Sequence, residues 1–195
     1  CGEGTCTVRC PDCLQSPVTC EQCFIRLHKH SPSHWAERWN GQHFEQVDIS
    51  KLRHVITLGH CGNTCKNIDY KNSTIEFILV EVNGIHSTCL AFCACIGTAD
   101  RVDQLMSSGI FPATVDHPKL GFTFNLLKDY HIHTLTSKKS AYDYDPYAQF
   151  LRVSHIWRYL MMFKRSGQAH DIDRFFPNRT PGNLVVPCFS CPEPG

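Results

Sequence analysis

The stretch CPDCLQSPVTCEQCFIRLHKHSPSH, residues 10–34, decides how this chain is read. Cys10-x2-Cys13 and Cys20-x2-Cys23 each set two thiols across a tight turn, at the ~3.5–4 Å separation that a tetrahedral zinc ion requires. His28 and His34 follow at a distance from which an imidazole reaches the same ion. The donors alternate, so Cys10, Cys13, His28 and His34 form one expected site. Cys20 and Cys23 form the other, with Cys1 and either Cys6 or a residue ahead of the first position. His30 and His43 read as ordinary solvated side chains. Residues 1–35 hold few long apolar runs, the composition of a unit organised by metal and not by a core.

The whole composition agrees with that reading. Thirteen Cys and twelve His in 195 residues make an odd, His-rich set, whereas a secreted disulfide framework shows an even Cys count and no reason for paired His. A disulfide-stapled secreted protein is therefore the least favoured class. With 19% charged and 42% hydrophobic residues the chain is neither collagenous nor broadly disordered. Lys and Arg number 19 against 18 Asp and Glu, a formal charge of +1 that excludes nucleic-acid binding by overall charge and requires a local patch. Apolar runs such as 75–82 and 159–163 fall far short of the ~20 residues of a membrane helix. The chain opens on Cys1, not Met, and is expected to be a fragment of a longer protein.

Outward from the first stretch, LRHVITLGHCGNTC reads as a short strand ending at Gly59, then a turn with His60 and Cys65. STIEFILVEVNGIHSTCLAFCAC reads as two strands joined at Asn83-Gly84, the second delivering Cys93 and Cys95. The hairpin brings a turn and a strand end together, so His60, Cys65, Cys93 and Cys95 form a further expected zinc site. Cys89 shares strand parity with Cys93 and reads as a small buried residue. Cys188-x2-Cys191 is a third metal-type pair, for which His86, His170 or residues beyond Gly195 are candidate partners. A short helix is expected over 99–107, ended at Gly109, with IFPAT leading into a loop that holds Pro118; FTFNLLKDYHIHTL is open between strand and helix, with helix favoured. DPYAQFLRVSHIWRYLMMFKRSG gives the clearest helix, with Asp145 as cap, Pro146 in the first turn, Gly167 as stop, and Phe150, Val153, Ile156, Trp157, Leu160 and Met161 on its core-facing stripe.

Little in the sequence suggests catalysis. It contains no Gly-rich phosphate loop, no G-x-S-x-G elbow and no H-E-x-x-H or H-x-E pattern. Asp143 and Asp145, like Asp171 and Asp173, suit turns and caps better than magnesium. The Cys-rich sets are closed, as structural zinc sites are, so the segment is expected to be non-enzymatic. Between Lys138 and Arg179 basic residues exceed acidic ones by four, and Lys138, Lys139, Arg152, Arg158, Lys164 and Arg165 are the candidate DNA contacts.

Taken in order, CPDC, CEQC, SPSHWAERWNGQHFEQVDI, ITLGHCGNTC, VNGIH, FCAC, LMSSGIFPAT, FLRVSHIWRYLMMFKRSGQAHD and CFSCPEPG resemble the CxC-like cysteine cluster of KDZ (Kyakuja-Dileera-Zisupton) transposases, along nearly the whole chain. The resemblance implies a zinc-chelating segment ahead of an RNase H-like DDE transposase domain in mobile elements, and a nuclear location. It implies the same metal candidates that spacing selects: Cys10, Cys13, Cys20, Cys23, His28, His34, His60, Cys65, Cys93, Cys95, Cys188 and Cys191. The chain departs from that pattern in a shortened stretch between SAYDY and FLRV and in starting after the expected first Cys.

The expected fold is α+β and zinc-stabilised. A cross-braced finger of the B-box or ZZ kind occupies residues 1–40, and an α+β cysteine-cluster region with a second zinc unit and C-terminal helices occupies 41–195. Two to three structural Zn2+ ions are expected. The expected partners are transposon DNA and the parent transposase's catalytic domain, with neither a membrane nor a small-molecule substrate. The alternative is a zinc-dependent protein-interaction module, for which Trp35 and Trp39 would supply contacts if exposed; both are expected in the core.

Overall fold

A computed structural model of the chain describes residues 4–60, 65, 74–95, 100–137, 140, 147–175 and 177. Strand β1 (Val8–Arg9) leads to helix α1 (Glu21–Leu27), followed by β2 (Ala36–Trp39) and β3 (Phe44–Val47). These strands form an antiparallel sheet in the order β1-β2-β3, with Ala36 opposite Val47 and Trp39 opposite Phe44. A 3-10 turn, Ile49–Leu52, closes the unit. Its core is small: Val8, Cys10, Phe24, Ala36, Val47, Ile49 and Leu52.

The second sheet is mixed. Its strands are β4 (Ile56–Thr57), β5 (Thr74–Glu81), β6 (Gly84–Ala91), β7 (Ile110–Pro112) and β8 (Leu120–Thr123), in the order β4-β6-β5-β8-β7. β5 and β6 pair along their full lengths, from Thr74 opposite Ala91 to Glu81 opposite Gly84. Val82 and Asn83 are therefore the two turn residues, and the positive-φ Gly84 opens the second strand, one position away from the turn expected at Asn83-Gly84. Period-two alternation sends Phe77, Leu79, His86, Thr88 and Leu90 inward. Cys89 falls on the opposite face with Ser87 and is only half-buried, a correction to the core role expected from its parity.

Helix α2 (Arg101–Ser107) is capped by Asp100, whose carboxylate accepts from the Asp103 N–H at 2.8 Å, and the chain turns at Gly109 with φ +79°. The first three residues of IFPAT form β7 before the chain enters the loop: Ile110, Phe111 and Pro112 are buried and pair with β8, and Pro at this end interrupts no central pairing. Helix α3 (Phe124–Thr136) starts at Thr123, whose hydroxyl accepts from the Leu126 N–H at 3.2 Å, and buries Leu126, Leu127 and Tyr130. FTFNLLKDYHIHTL is thus strand at its first residues and helix thereafter.

The chain divides into two compact units, Cys1–Lys139 and Ser140–Gly195. The boundary expected after residue 40 falls between β2 and β3, strands paired over four residues, so a cut there would divide one sheet. The turn of the β5–β6 hairpin also fastens to the finger: Asn83 Nδ2 donates to the Ser33 carbonyl at 2.9 Å, and Trp35 Nε1 donates to the Asn83 carbonyl at 3.0 Å. Trp35 lies over His86 with ring centroids 4.2 Å apart and is half-buried, while Trp39 is 43% exposed against Phe44, so neither is the core residue expected.

The second unit contains helix α4 (Tyr147–Ser166), a 3-10 turn (Gln168–His170) and the short helix α5 (Ile172–Phe175). Phe150, Val153, Ser154 and Trp157 form its buried stripe, and Gly167 with φ +77° ends the helix as its position in the sequence suggests. Ile156 and Leu160, expected on that stripe, are exposed at 40% and 39%. The expected cap, Asp145, and Pro146 lie outside the described residues. No helix among the described residues is long and apolar enough to cross a membrane.

Gly121 leaves no room for a side chain: a β-carbon there would meet Ile110 Cγ2 at 2.6 Å and Phe77 Cζ at 2.8 Å. Gly121→Ala is expected to cost about 1–3 kcal/mol of stability in urea unfolding, the range for overpacking a filled core.

Candidate metal centres

Two donor clusters emerge from these elements. In the first, β1 runs directly into Cys10 and the following turn carries Cys13, while α1 ends at His28 and the loop beyond it presents His34. The ligand atoms of all four lie within 4.8 Å of one another. Cys13 Sγ is 3.4 Å from His28 Nε2 and 3.3 Å from His34 Nδ1, and Cys10 Sγ is 3.6 Å from His34 Nδ1. An ion about 2.3 Å from sulfur and 2.0–2.1 Å from nitrogen, at tetrahedral angles, sets sulfur–nitrogen edges of about 3.5 Å. One thiol approached by two imidazoles is what a shared centre produces.

The orientation of His28 is fixed from behind. Its Nδ1 lies 2.9 Å from the Phe24 carbonyl, one helical turn back, so Nδ1–H donates there and the lone pair of Nε2 faces the thiols. Phe24 stacks on the same ring with centroids 4.1 Å apart. An i, i+4 relation on α1 thus holds a core residue and a metal-type donor in one register.

The second cluster is His60, Cys65, Cys93 and Cys95. β4 runs parallel to β6, with Thr57 opposite Ala91, so the segments leaving the two strands emerge side by side. One carries His60 and the other Cys93 and Cys95. His60 Nε2 is 3.1 Å from Cys93 Sγ and 3.5 Å from Cys95 Sγ; Cys65 Sγ is 3.6 Å and 3.4 Å from the same two sulfurs. These distances are again edges of one tetrahedron, with sulfur–sulfur edges of about 3.8 Å expected. Gly59, at φ +79°, makes the approach feasible, because a β-carbon there would stand 2.9 Å from Cys93 Cβ.

Gln104 is a positioning residue that spacing does not reveal. It is buried on α2, its Oε1 accepts the Cys93 N–H at 2.9 Å, and its Nε2 donates to the Cys93 carbonyl at 3.1 Å. The side-chain amide therefore grips both backbone groups of a ligand residue. The signal in the sequence, a Gln at an apolar position of a short helix, is too common to identify such a role.

Without an ion, one thiol of each cluster is driven towards its protonated form. Burial, with the Cys13 side chain adding to it, pushes Cys10 up to about 11, and the neighbouring Cys65 and Cys93 thiols push Cys95 up to about 11. Cys20 behaves oppositely: it stands at the N-cap position of α1, and the backbone N–H and then the thiol of Cys23 hold it below its ordinary value. Among the described residues no third metal-binding side chain joins Cys20 and Cys23, and Cys6 is exposed and outside both clusters. None of the nine cysteines among the described residues forms a disulfide.

Cys1, Cys188, Cys191, Lys138 and Lys139 lie outside the described residues. His86, a candidate partner of the last Cys pair, is buried with Nε2 2.8 Å from Asn83 Oδ1, and His170 is exposed. On α4, Arg158 and Arg165 are seven apart and share a face, while Arg152 and Lys164 project elsewhere around the helix, so the four do not form one stripe.

A family model described as a CxC2 like cysteine cluster associated with KDZ transposases matches residues 49–154, more than half of the chain. The chain belongs to this CxC2 cysteine-cluster family. The matched CxC2 segment contains the His60–Cys65–Cys93–Cys95 centre and the Gln104 clamp, whereas the Cys10–Cys13–His28–His34 centre lies ahead of it. No curated protein and no solved structure matches the chain. The thiol and imidazole donors fit the cysteine-cluster description, since such sets suit zinc, and when bound the ion cross-links chain segments that are far apart in sequence.

Two outcomes follow. Cys10 and Cys95 would bind metal as thiolates, but both are raised to about 11 in the metal-free chain, so metal uptake must release protons and weaken as pH falls. Titration with zinc in two buffers of different ionisation enthalpy is expected to show that release at pH 7 and lower affinity at pH 6. Gln104→Ala keeps all four donors of the second cluster but is expected to weaken its metal affinity by about 10–100-fold in chelator competition, leaving the first cluster unchanged.

Proposed function

We propose that the chain is a zinc-organised accessory region of a KDZ-type DNA transposase, acting in the nucleus to help recognise element DNA, with DDE chemistry carried by a domain outside it. The observation that carries this reading is the coincidence of the CxC2 match with a four-donor centre inside the matched segment. The first cluster, in the alternating Cys and His order of residues 10–34, supports a finger of the B-box or ZZ type. There the adjacent Cys20 and Cys23 thiols would be half of a second site. Each ion would contribute on the order of 10 kcal/mol to folding, enough to stand in for the core that the finger lacks.

A second reading has its own observation. Ile156, Tyr159 and Leu160 are exposed on α4, and Tyr159 meets Phe163 edge-on with centroids 4.7 Å apart. Residues 156, 159, 160 and 163 share one helix face, the spacing of a protein-docking stripe, which favours a protein-interaction module as the second reading.

The DNA reading is tested by fluorescence anisotropy of labelled element-terminal DNA with the zinc-loaded chain across salt concentrations. Saturable binding with log K falling linearly in log salt supports it, and absence of such binding at 50 mM salt overturns it.

A further inference from the structure

A groove of about 770 Å3 runs between the finger and the second sheet. On one side lie Arg26 and Lys29 with His30 and Ser33; on the other, Ser107 and Ser108 and the start of α3 with Asn125 and Lys128. Its floor includes His54, which is buried and whose Nδ1 has no hydrogen-bond partner among the described residues. Arg26, Lys29 and Lys128 are all exposed, and among the described residues Glu81 is the one acidic side chain on the lining. In a chain whose formal charge is only +1, this is a concentrated cationic strip, and the amino end of the 13-residue α3 adds positive potential to it.

Both metal centres touch the construction of this groove. Lys29, His30, Pro32 and Ser33 belong to the loop between the donors His28 and His34, so the first cluster shapes one wall. His54 to Leu58 lead directly into His60, so the second cluster tethers the floor. Hydroxyls and amides beside fixed cations are the groups that contact phosphate oxygens without reading base sequence.

We infer that this groove, and not the basic residues of α4, is where a DNA phosphodiester backbone lies, held by Arg26, Lys29 and Lys128 on walls that the two metal centres keep apart. The inference rests on the DNA reading proposed for the chain and assigns that reading a surface. It makes DNA binding dependent on metal through geometry, because the ligands themselves do not face the nucleic acid.

The test uses the whole zinc-loaded chain, a labelled DNA duplex and the anisotropy assay. The groove variant Arg26→Gln/Lys29→Gln/Lys128→Gln is compared with the helix variant Arg152→Gln/Arg158→Gln/Lys164→Gln/Arg165→Gln, zinc content being measured for each. The groove variant is expected to lose about tenfold or more in affinity at 100 mM salt and to flatten the salt slope by roughly 0.9 for each phosphate contact removed, while the helix variant stays within about twofold of the parent. Because Arg26 and Lys29 neighbour metal donors, Lys128→Glu alone, on α3, is a second probe and must weaken binding in the same direction with zinc content unchanged. If the parent binds DNA but the groove variants bind equally well, the groove assignment is overturned and the DNA reading stands. If the parent fails to bind DNA at all, both are overturned.

Discussion

The structure depends on convergence of sulfur and nitrogen donors from segments that little else holds together. In the finger, seven buried residues and three short strands have to fix a loop-rich segment of about 45 residues. Conformational entropy costs about 1–2 kcal/mol for each ordered backbone residue, and a core of that size offsets only part of it. Cys10, Cys13, His28 and His34 come from the end of β1, a turn, the end of α1 and a loop, so a common centre ties together every piece that the core reaches least. The Phe24 carbonyl behind His28 shows how the two systems share residues: the same turn of α1 supplies the largest core ring and orients the imidazole.

The second centre is organised by sheet topology. β4 is only two residues long, and two residue pairs define its parallel pairing with β6. Its consequence is that both strands release their chains at the same edge, where His60 meets Cys93 and Cys95. Gln104 then locks the Cys93 backbone to α2, linking the centre to the buried Leu105 beside it. Metal, sheet register and helix position are thus coupled, and a change in one displaces the others. The hairpin turn at Asn83 extends this coupling to the finger through Ser33 and Trp35.

Spacing, with the hairpin, makes the donors legible in the sequence. A C-x2-C pair or a C-x-C pair is a local geometric statement; His28 and His34 follow the first pair closely, whereas His60 and Cys65 reach the second across the hairpin, and all eight are among the expected donors. The 3.6-residue periodicity likewise marks α4, and strand alternation marks the hairpin. What escapes such reading are features set by distant contacts. The first three residues of IFPAT become a strand because β8, some ten residues on, returns to pair with them. Trp39 stays 43% exposed because it stands at the end of β2, opposite Phe44. Cys89 shares parity with a buried ligand, but the chain leaves the strand before Cys93, so parity carries no information across that point. The groove between finger and sheet has no signature in the sequence, since Arg26, Lys29 and Lys128 are scattered over a hundred positions.

We infer that bound divalent ions hold this fold. Elemental analysis of the chain purified without chelator, followed by stepwise removal of metal under circular dichroism, should give at least two zinc equivalents per chain and cooperative loss of structure as they are withdrawn, reversed when zinc is returned. A chain that purifies metal-free and keeps its full secondary structure and unfolding midpoint in excess chelator would show instead that the fold stands without them.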